Sequence, residues 1–219
     1  MIWAGNVPKG RRWSVGARGP PDAGKKAMRV WACSCGELAG RLVDVDARDG
    51  THIVCHCDDC RANLVALGHT DPGAEGVELF QTTPDKIKID QGGENLALLR
   101  LSPKGLMRWY AKCCSTPLFN TTSRRGMAFT GISAEIIKNH ETELGPVIAR
   151  GFIKTPSGKV THEGLRPMLT SMMGRMGKSW IKGTWRDTPF FDETGTPVRE
   201  ARVLTREERA AAFMGLSQS

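Results

Sequence analysis

Between Val30 and about Ser133 apolar and polar positions alternate in short runs: ELAGRLVDV, THIVCHC, VELFQT, KIKID, LALLRL, LMRWYAKC and MAFTGI. Turn-forming stretches such as TDPGAEG, TPDK and DQGGEN separate them. A series of short strands with no long helical pattern between them predicts a mainly β core over residues 28–132, sandwich-like or a distorted barrel. The period then changes. SAEIIKNHETEL, opening on Ser133 as an N-cap, predicts a short helix that stops before Gly145 and Pro146. LRPMLTSMMGRMGKSW sets Leu165, Met168, Leu169, Met172, Met173 and Met176 at three- and four-residue steps, with Pro167 near the first turn, and so predicts an amphipathic helix with a methionine-rich face. Packing on the β core is the plain use of that face, and an adaptable partner-binding surface is the other. In TREERAAAFM, Thr205 and Glu208 fit a capping box. Residues 133–219 thus read as a helical and loop extension packed on the β core.

The first 27 residues carry Gly and Pro throughout and show no period, so they read as a disordered leader. Met28 stands directly before the first patterned segment, which makes it the expected natural start. Arg11 and Arg12 are not followed by the apolar segment that a twin-arginine export signal needs. A second superficial motif also fails: Gly177–Lys178–Ser179 lacks the P-loop's earlier glycine, since Met172 stands there.

The formal net charge is +8, but Lys9, Arg11, Arg12, Arg18, Lys25 and Lys26, opposed only by Asp22, place most of it in the leader. The body of the chain is only mildly basic, which argues against nucleic-acid binding by the folded part. No apolar run approaches the length of a bilayer span, so no membrane association is expected.

All seven cysteines fall between Cys33 and Cys114, in three tight groups. Gaps of one and two residues suit ligation of one ion better than disulfide pairing, and a reducing, cytoplasmic setting follows. Cys33 and Cys35 in CSCGEL, with Cys113 and Cys114 in AKCCSTPLF, supply two thiols each, enough for one closed tetrahedral zinc. Neighbouring residues of a strand face opposite ways, so Cys113 and Cys114 can share an ion only if the strand breaks into a turn before Pro117. The trio Cys55, Cys57 and Cys60 leaves a fourth coordination position open, and a zinc so rich in thiolate is better suited to gripping another thiol than to activating water. Three alternatives stand beside this reading: closure of the site by His56, Asp58 or a distant group; a metal-free redox pair; and a non-catalytic zinc-stapled binding module that works through the methionine-rich helix.

CSCG, then CHCDDCR, then CCSTPLF, at these intervals, resembles the glutathione-dependent formaldehyde-activating enzyme family, which includes centromere protein V. That family carries C-x-C-G, then C-H-C-x-x-C-R, then C-x-x-C-G-T-P-L. The middle motif is met in full by Cys55, His56, Cys57, Cys60 and Arg61, and the likeness covers about residues 28–132. The third motif departs: Ala111 stands at its first cysteine and Ser115 at its glycine, with Cys113 the candidate replacement ligand. The resemblance implies a zinc-stapled β sandwich, a structural zinc on Cys33 and Cys35, and an active-site zinc on Cys55, Cys57 and Cys60. It also implies a carbon–sulfur lyase type of activity, with S-hydroxymethylglutathione formed from glutathione and formaldehyde. Arg61 would orient a substrate carboxylate, with an ordinary ion pair as its other use. His56, on a C-H-C strand, would face away from its neighbours.

Overall fold

The computed structural model describes residues 27–46 and 49–216. The leader expected at the N-terminus lies outside the described residues, apart from its last position. In chain order the elements are β1 (Ala27–Ala32), β2 (Ala39–Val45), β3 (Thr51–Cys55), α1 (Asp58–Ala66), β4 (Val77–Thr82), β5 (Ile87–Gln91), β6 (Leu96–Arg100), β7 (Met107–Ala111), β8 (Pro117–Thr121) and β9 (Thr130–Ser133). Then follow α2 (His140–Glu143), β10 (Ala149–Lys154), β11 (Val160–Glu163), α3 (Leu165–Lys182), β12 (Ala201–Val203) and α4 (Arg206–Met214).

Two sheets form, a small one ordered β1-β2-β5 and a large one ordered β11-β10-β3-β4-β9-β8-β7-β6-β12. Their facing sides make the main core. Trp31 and Leu42 of the small sheet meet Phe80, Leu98, Trp109, Phe119 and Ile132 of the large one, together with Phe190. Each such side chain stabilises the fold by roughly 1.5–3 kcal/mol when fully withdrawn from water. The Trp31 and Phe119 rings meet edge to face at 5.0 Å. Gly40 makes room for this packing, because a Cβ there would lie 2.0 Å from the Lys88 carbonyl oxygen and 2.7 Å from the Trp31 ring. The layered β core with C-terminal helices is the architecture that the alternating pattern predicts.

On its other face the large sheet carries helices. Ala62 of α1 and Ala212 of α4 pack with Leu99, Leu101 and Leu204, while Met168 of α3 packs on Ile53, Leu79 and Ala149. α4 opens with the expected capping box, Thr205 accepting from the Glu208 backbone and Glu208 reaching back. No helix among the described residues is long and apolar enough to cross a membrane.

Beyond Ser133 the chain is more than helix and loop. β10 runs parallel to β3, with Ala149 beside Ile53 and Gly151 beside Cys55, and β12 runs parallel to β6, with Arg202 beside Leu99. The C-terminal part therefore extends the large sheet at both ends. SAEIIKNHETEL does not form one helix either: a 3-10 turn at Ala134–Ile136 is cut off from α2 by Asn139, which adopts a left-handed conformation. Ser133 makes no side-chain cap bond there, contrary to the N-cap reading.

Candidate metal centres and the cavity beside one of them

All seven cysteines are free thiols, and the fold gathers them into two clusters. Cys33, Cys35, Cys113 and Cys114 place their four sulfurs within 4.8 Å of one another. The two arms are turns at the ends of hairpins. After β1 the chain folds back through Gly36, whose φ of +82° suits glycine. The Gly36 and Cys33 backbone N–H groups donate to the carbonyls of Cys33 and Leu38. After β7 the strand ends at Ala111 and turns, the Cys114 N–H donating to the Ala111 carbonyl. This is the break that lets consecutive cysteines face one centre. Ser115 adopts φ +58° at the position where the resembled motif has glycine. Ala111 is fully buried, and Cys113 stands in the cluster in its place.

Tetrahedral zinc at about 2.3 Å from each sulfur requires sulfurs about 3.8 Å apart. Cys33 lies 3.5 Å from Cys35 and 3.9 Å from Cys113, with Cys35 to Cys113 at 3.3 Å and Cys113 to Cys114 at 3.8 Å. The donor set and the spacing both fit. Supporting hydrogen bonds reach the sulfurs: the Leu38 N–H lies 3.3 Å from Cys33 Sγ, and Thr116 Oγ1 lies 3.0 Å from Cys114 Sγ. Burial pushes Cys114 up, but hydrogen bonds from Ser34, from Thr116 and from backbone N–H groups outweigh it and bring the thiol down to about 5. Cys113 is pushed up to about 12, first by burial and then by its bonds to the other thiols.

The second cluster is Cys55, Cys57 and Cys60, again within 4.8 Å sulfur to sulfur. β3 ends on Cys55, and Cys57 is the N-cap of α1, its sulfur accepting from the Cys60 N–H at 3.4 Å. The helix start thus directs backbone N–H groups and a positive dipole end at the thiols. Cys55 and Cys57 Sγ are 3.3 Å apart. Hydrogen bonds from Cys55 and Cys57, and then the charge of Arg108, hold Cys60 well below the ordinary thiol range. Its bond with Cys57, then that with Cys60, and then burial push Cys55 far up. Cys57 goes up to about 11, its bond from Cys55 lowering it while its bond with Cys60 and burial raise it more. Arg108 and the neighbouring thiols thus favour the thiolate at Cys60. Neither His56 nor Asp58 belongs to the group of ligand atoms within 4.8 Å. Asp58 instead takes Lys154 at 2.8 and 3.0 Å.

Arg108 carries no sequence-level assignment. On β7 it alternates with Trp109, so while Trp109 enters the core between the sheets Arg108 emerges on the helical face. It is 4% exposed, and its Nη1 lies 3.6 Å from Cys60 Sγ and 3.2 Å from Asn120 Oδ1. Of the two uses expected for Arg61, substrate orientation and an ordinary ion pair, it makes an ion pair. Its Nε and Nη2 donate to the Asp71 carboxylate at 2.8 and 2.6 Å, and both side chains are at most 5% exposed. The His56 imidazole is shifted below its ordinary pKa, first by burial and then by the charges of Arg150 and Arg61.

The trio borders a cavity of about 710 Å³ whose walls are mostly apolar. Ile53, Leu79, Ala149, Phe152 and Val160 come from the large sheet, Leu165, Met168 and Leu169 from α3, Phe213 from α4, and Phe129 from the stretch before β9. Arg108, Arg150, Lys154, His162 and Glu163 also line it, whereas Arg61 does not. The methionine-rich helix is thus one wall of the chamber beside the trio.

A family model described as a family of unknown function, DUF6151, matches residues 26–202. The chain belongs to that family. The DUF6151 match takes in all seven cysteines, both sheets and α3. No curated protein matches the chain. Among solved structures, a crystal structure of a Rhodobacter sphaeroides protein from a structural-genomics programme aligns over 50% of this DUF6151 chain and 88% of its own, at 18% identity and a TM-score of 0.36. The likeness to the formaldehyde-activating family rests on the cysteine motifs alone.

Proposed function

We propose that this protein is a zinc-dependent enzyme of carbon–sulfur chemistry, in which Cys33, Cys35, Cys113 and Cys114 hold a structural zinc and Cys55, Cys57 and Cys60 hold the working one. The observation that carries the reading is the trio's position: three thiols within 4.8 Å of one another at the edge of a cavity, with no fourth His, Cys, Asp or Glu in the group among the described residues. A zinc ion there would supply a soft binding position that favours a substrate thiol as its thiolate. In the net reaction the sulfur bonds to the carbonyl carbon of a small aldehyde, the carbonyl π bond breaks, and the thiol proton ends on the oxygen. Glutathione and formaldehyde are the pair that the motif resemblance suggests.

The chain's own groups have definable tasks. Three thiolates and a divalent ion sum to about −1, and the buried guanidinium of Arg108 beside Cys60 offsets part of the charge that a fourth thiolate would add. The α1 N-terminus acts in the same direction. The walls offer the reacting groups a mostly apolar surface. Arg61, buried on Asp71, fixes the start of α1 and with it Cys57 and Cys60.

The test is zinc content followed by catalysis. Two zinc ions per chain are expected, and labelled formaldehyde followed by NMR should form its thiol adduct faster with protein than in buffer containing the thiol alone. Adduct formation at the background rate, with both zincs present, would replace the enzyme by a zinc-stapled binding module.

A further inference from the structure

Resting on the reading of the trio as a thiol-binding zinc site, we propose that the thiol it takes is apolar: a sulfur carried on a hydrocarbon chain or ring, not a charged tripeptide. Large apolar side chains stand open to solvent around this one concavity. Phe152 is 49% exposed, Val160 46%, Leu169 40% and Leu165 38%, with Met168 and Phe213 completing the wall. Such a grouping is costly to leave wet unless a ligand covers it. The volume of about 710 Å³ suits a drug-sized ligand.

The backbone is bent to make part of this wall. Phe152 adopts φ +60°, a left-handed conformation that aromatic residues rarely hold, where β10 loses register against β11 between Arg150 and Ile153. The Phe152 N–H donates to His162 Nδ1 at 3.1 Å, and the His162 ring meets the Phe152 ring edge to face at 5.0 Å. Local strain is thus held by local bonds, with Phe152 on the cavity lining. The charges on the lining add no net field for a charged guest: Arg108, Arg150 and Lys154 stand against Asp58, Asp59 and Glu163, Lys154 being paired with Asp58 and Arg108 facing Cys60 and Asn120.

The test uses the full-length, zinc-loaded protein and a series of 1-alkanethiols from ethanethiol to hexanethiol, the matching 1-alkanols, and glutathione. Dissociation constants come from calorimetry, and cobalt in place of zinc gives a second, spectroscopic readout. Each added methylene should tighten thiol binding about fourfold. The alcohols should bind far more weakly, and glutathione more weakly than hexanethiol. Leu169→Asp and, independently, Val160→Asp should flatten the series, and both sites are exposed enough to accept the change. Thiols that perturb the cobalt spectrum with no dependence on chain length would overturn the apolar specificity and leave the zinc–thiol reading standing. Alcohols that bind as well as thiols, or no thiol binding at all, would overturn both. A dimer that Leu169→Asp converts to monomer, with no response to thiols, would assign this wall to a second copy of the chain and would also overturn the proposal.

Discussion

Breaking the Arg61–Asp71 pair should destabilise the protein strongly, and the size of the loss separates a positioning role for Arg61 from the substrate-binding role that its place in the motif suggests. The two side chains are 3% and 5% exposed and joined by two short hydrogen bonds. Asp71→Leu leaves a guanidinium buried without that carboxylate, a change that costs about 3–5 kcal/mol. The low end applies, because Asp58 lies 4.0 Å from Arg61 Nη1 and can take part of the charge. A loss of about 3 kcal/mol in a chain of this size corresponds to a fall in Tm of roughly 6–12 °C. Arg61→Met combined with Asp71→Leu should return to within about 1 kcal/mol of the parent, since both charges then leave the interior together. Urea unfolding followed by tryptophan fluorescence at a fixed excess of zinc gives the three values, with thiol affinity measured on the same proteins. The reasoning fails if Arg61→Met costs under about 0.5 kcal/mol and instead weakens thiol binding.

Cys113→Ser and Cys114→Ser should each release one zinc and destabilise the domain by several kcal/mol; zinc content and thermal melts check this. Ser115→Gly should raise stability by about 1 kcal/mol, the cost of an ordinary residue in the left-handed region, with unchanged zinc content in the same assays. In metal-stripped protein Cys114 should remain a thiolate down to about pH 5. Since its folded pKa lies below the ordinary 9.0, its contribution to stability is full above that value and fades as pH falls toward 5; Thr116→Val should move the ultraviolet thiolate titration upward.

The cysteine clusters are legible in the sequence because ligand spacing is a local property: CHCDDC keeps three thiols together under almost any local fold that turns into a helix. The central strands are legible for a similar reason, since THIVC and LALLR each carry an apolar run, Ile53–Cys55 and Leu96–Leu99, between turn signals. β10 and β12 are not. ARGFIK carries Gly151 and two cations, and ARV is three residues long, so each is held by a parallel neighbour and not by its own pattern. Asn139 splits an expected helix through a left-handed turn that helical periodicity does not reveal. The cavity is the least legible feature, because Phe129, Phe152, Leu169 and Phe213 meet only through the fold. Arg108 did leave a trace: a cation between Met107 and Trp109 in a strand buried on both faces needs a partner, and Cys60 and Asn120 are what it finds.

The most direct test of the central claim is a thiol titration of the protein loaded with cobalt at both clusters, read through sulfur-to-metal charge transfer, beside the Cys57→Ser variant. The account predicts that small thiols increase this absorption and release protons, with binding that strengthens as pH rises toward the thiol's own pKa, and that Cys57→Ser abolishes the response while the four-cysteine cluster keeps its spectrum. A spectrum at the trio indifferent to every thiol from pH 6 to 9 would contradict it.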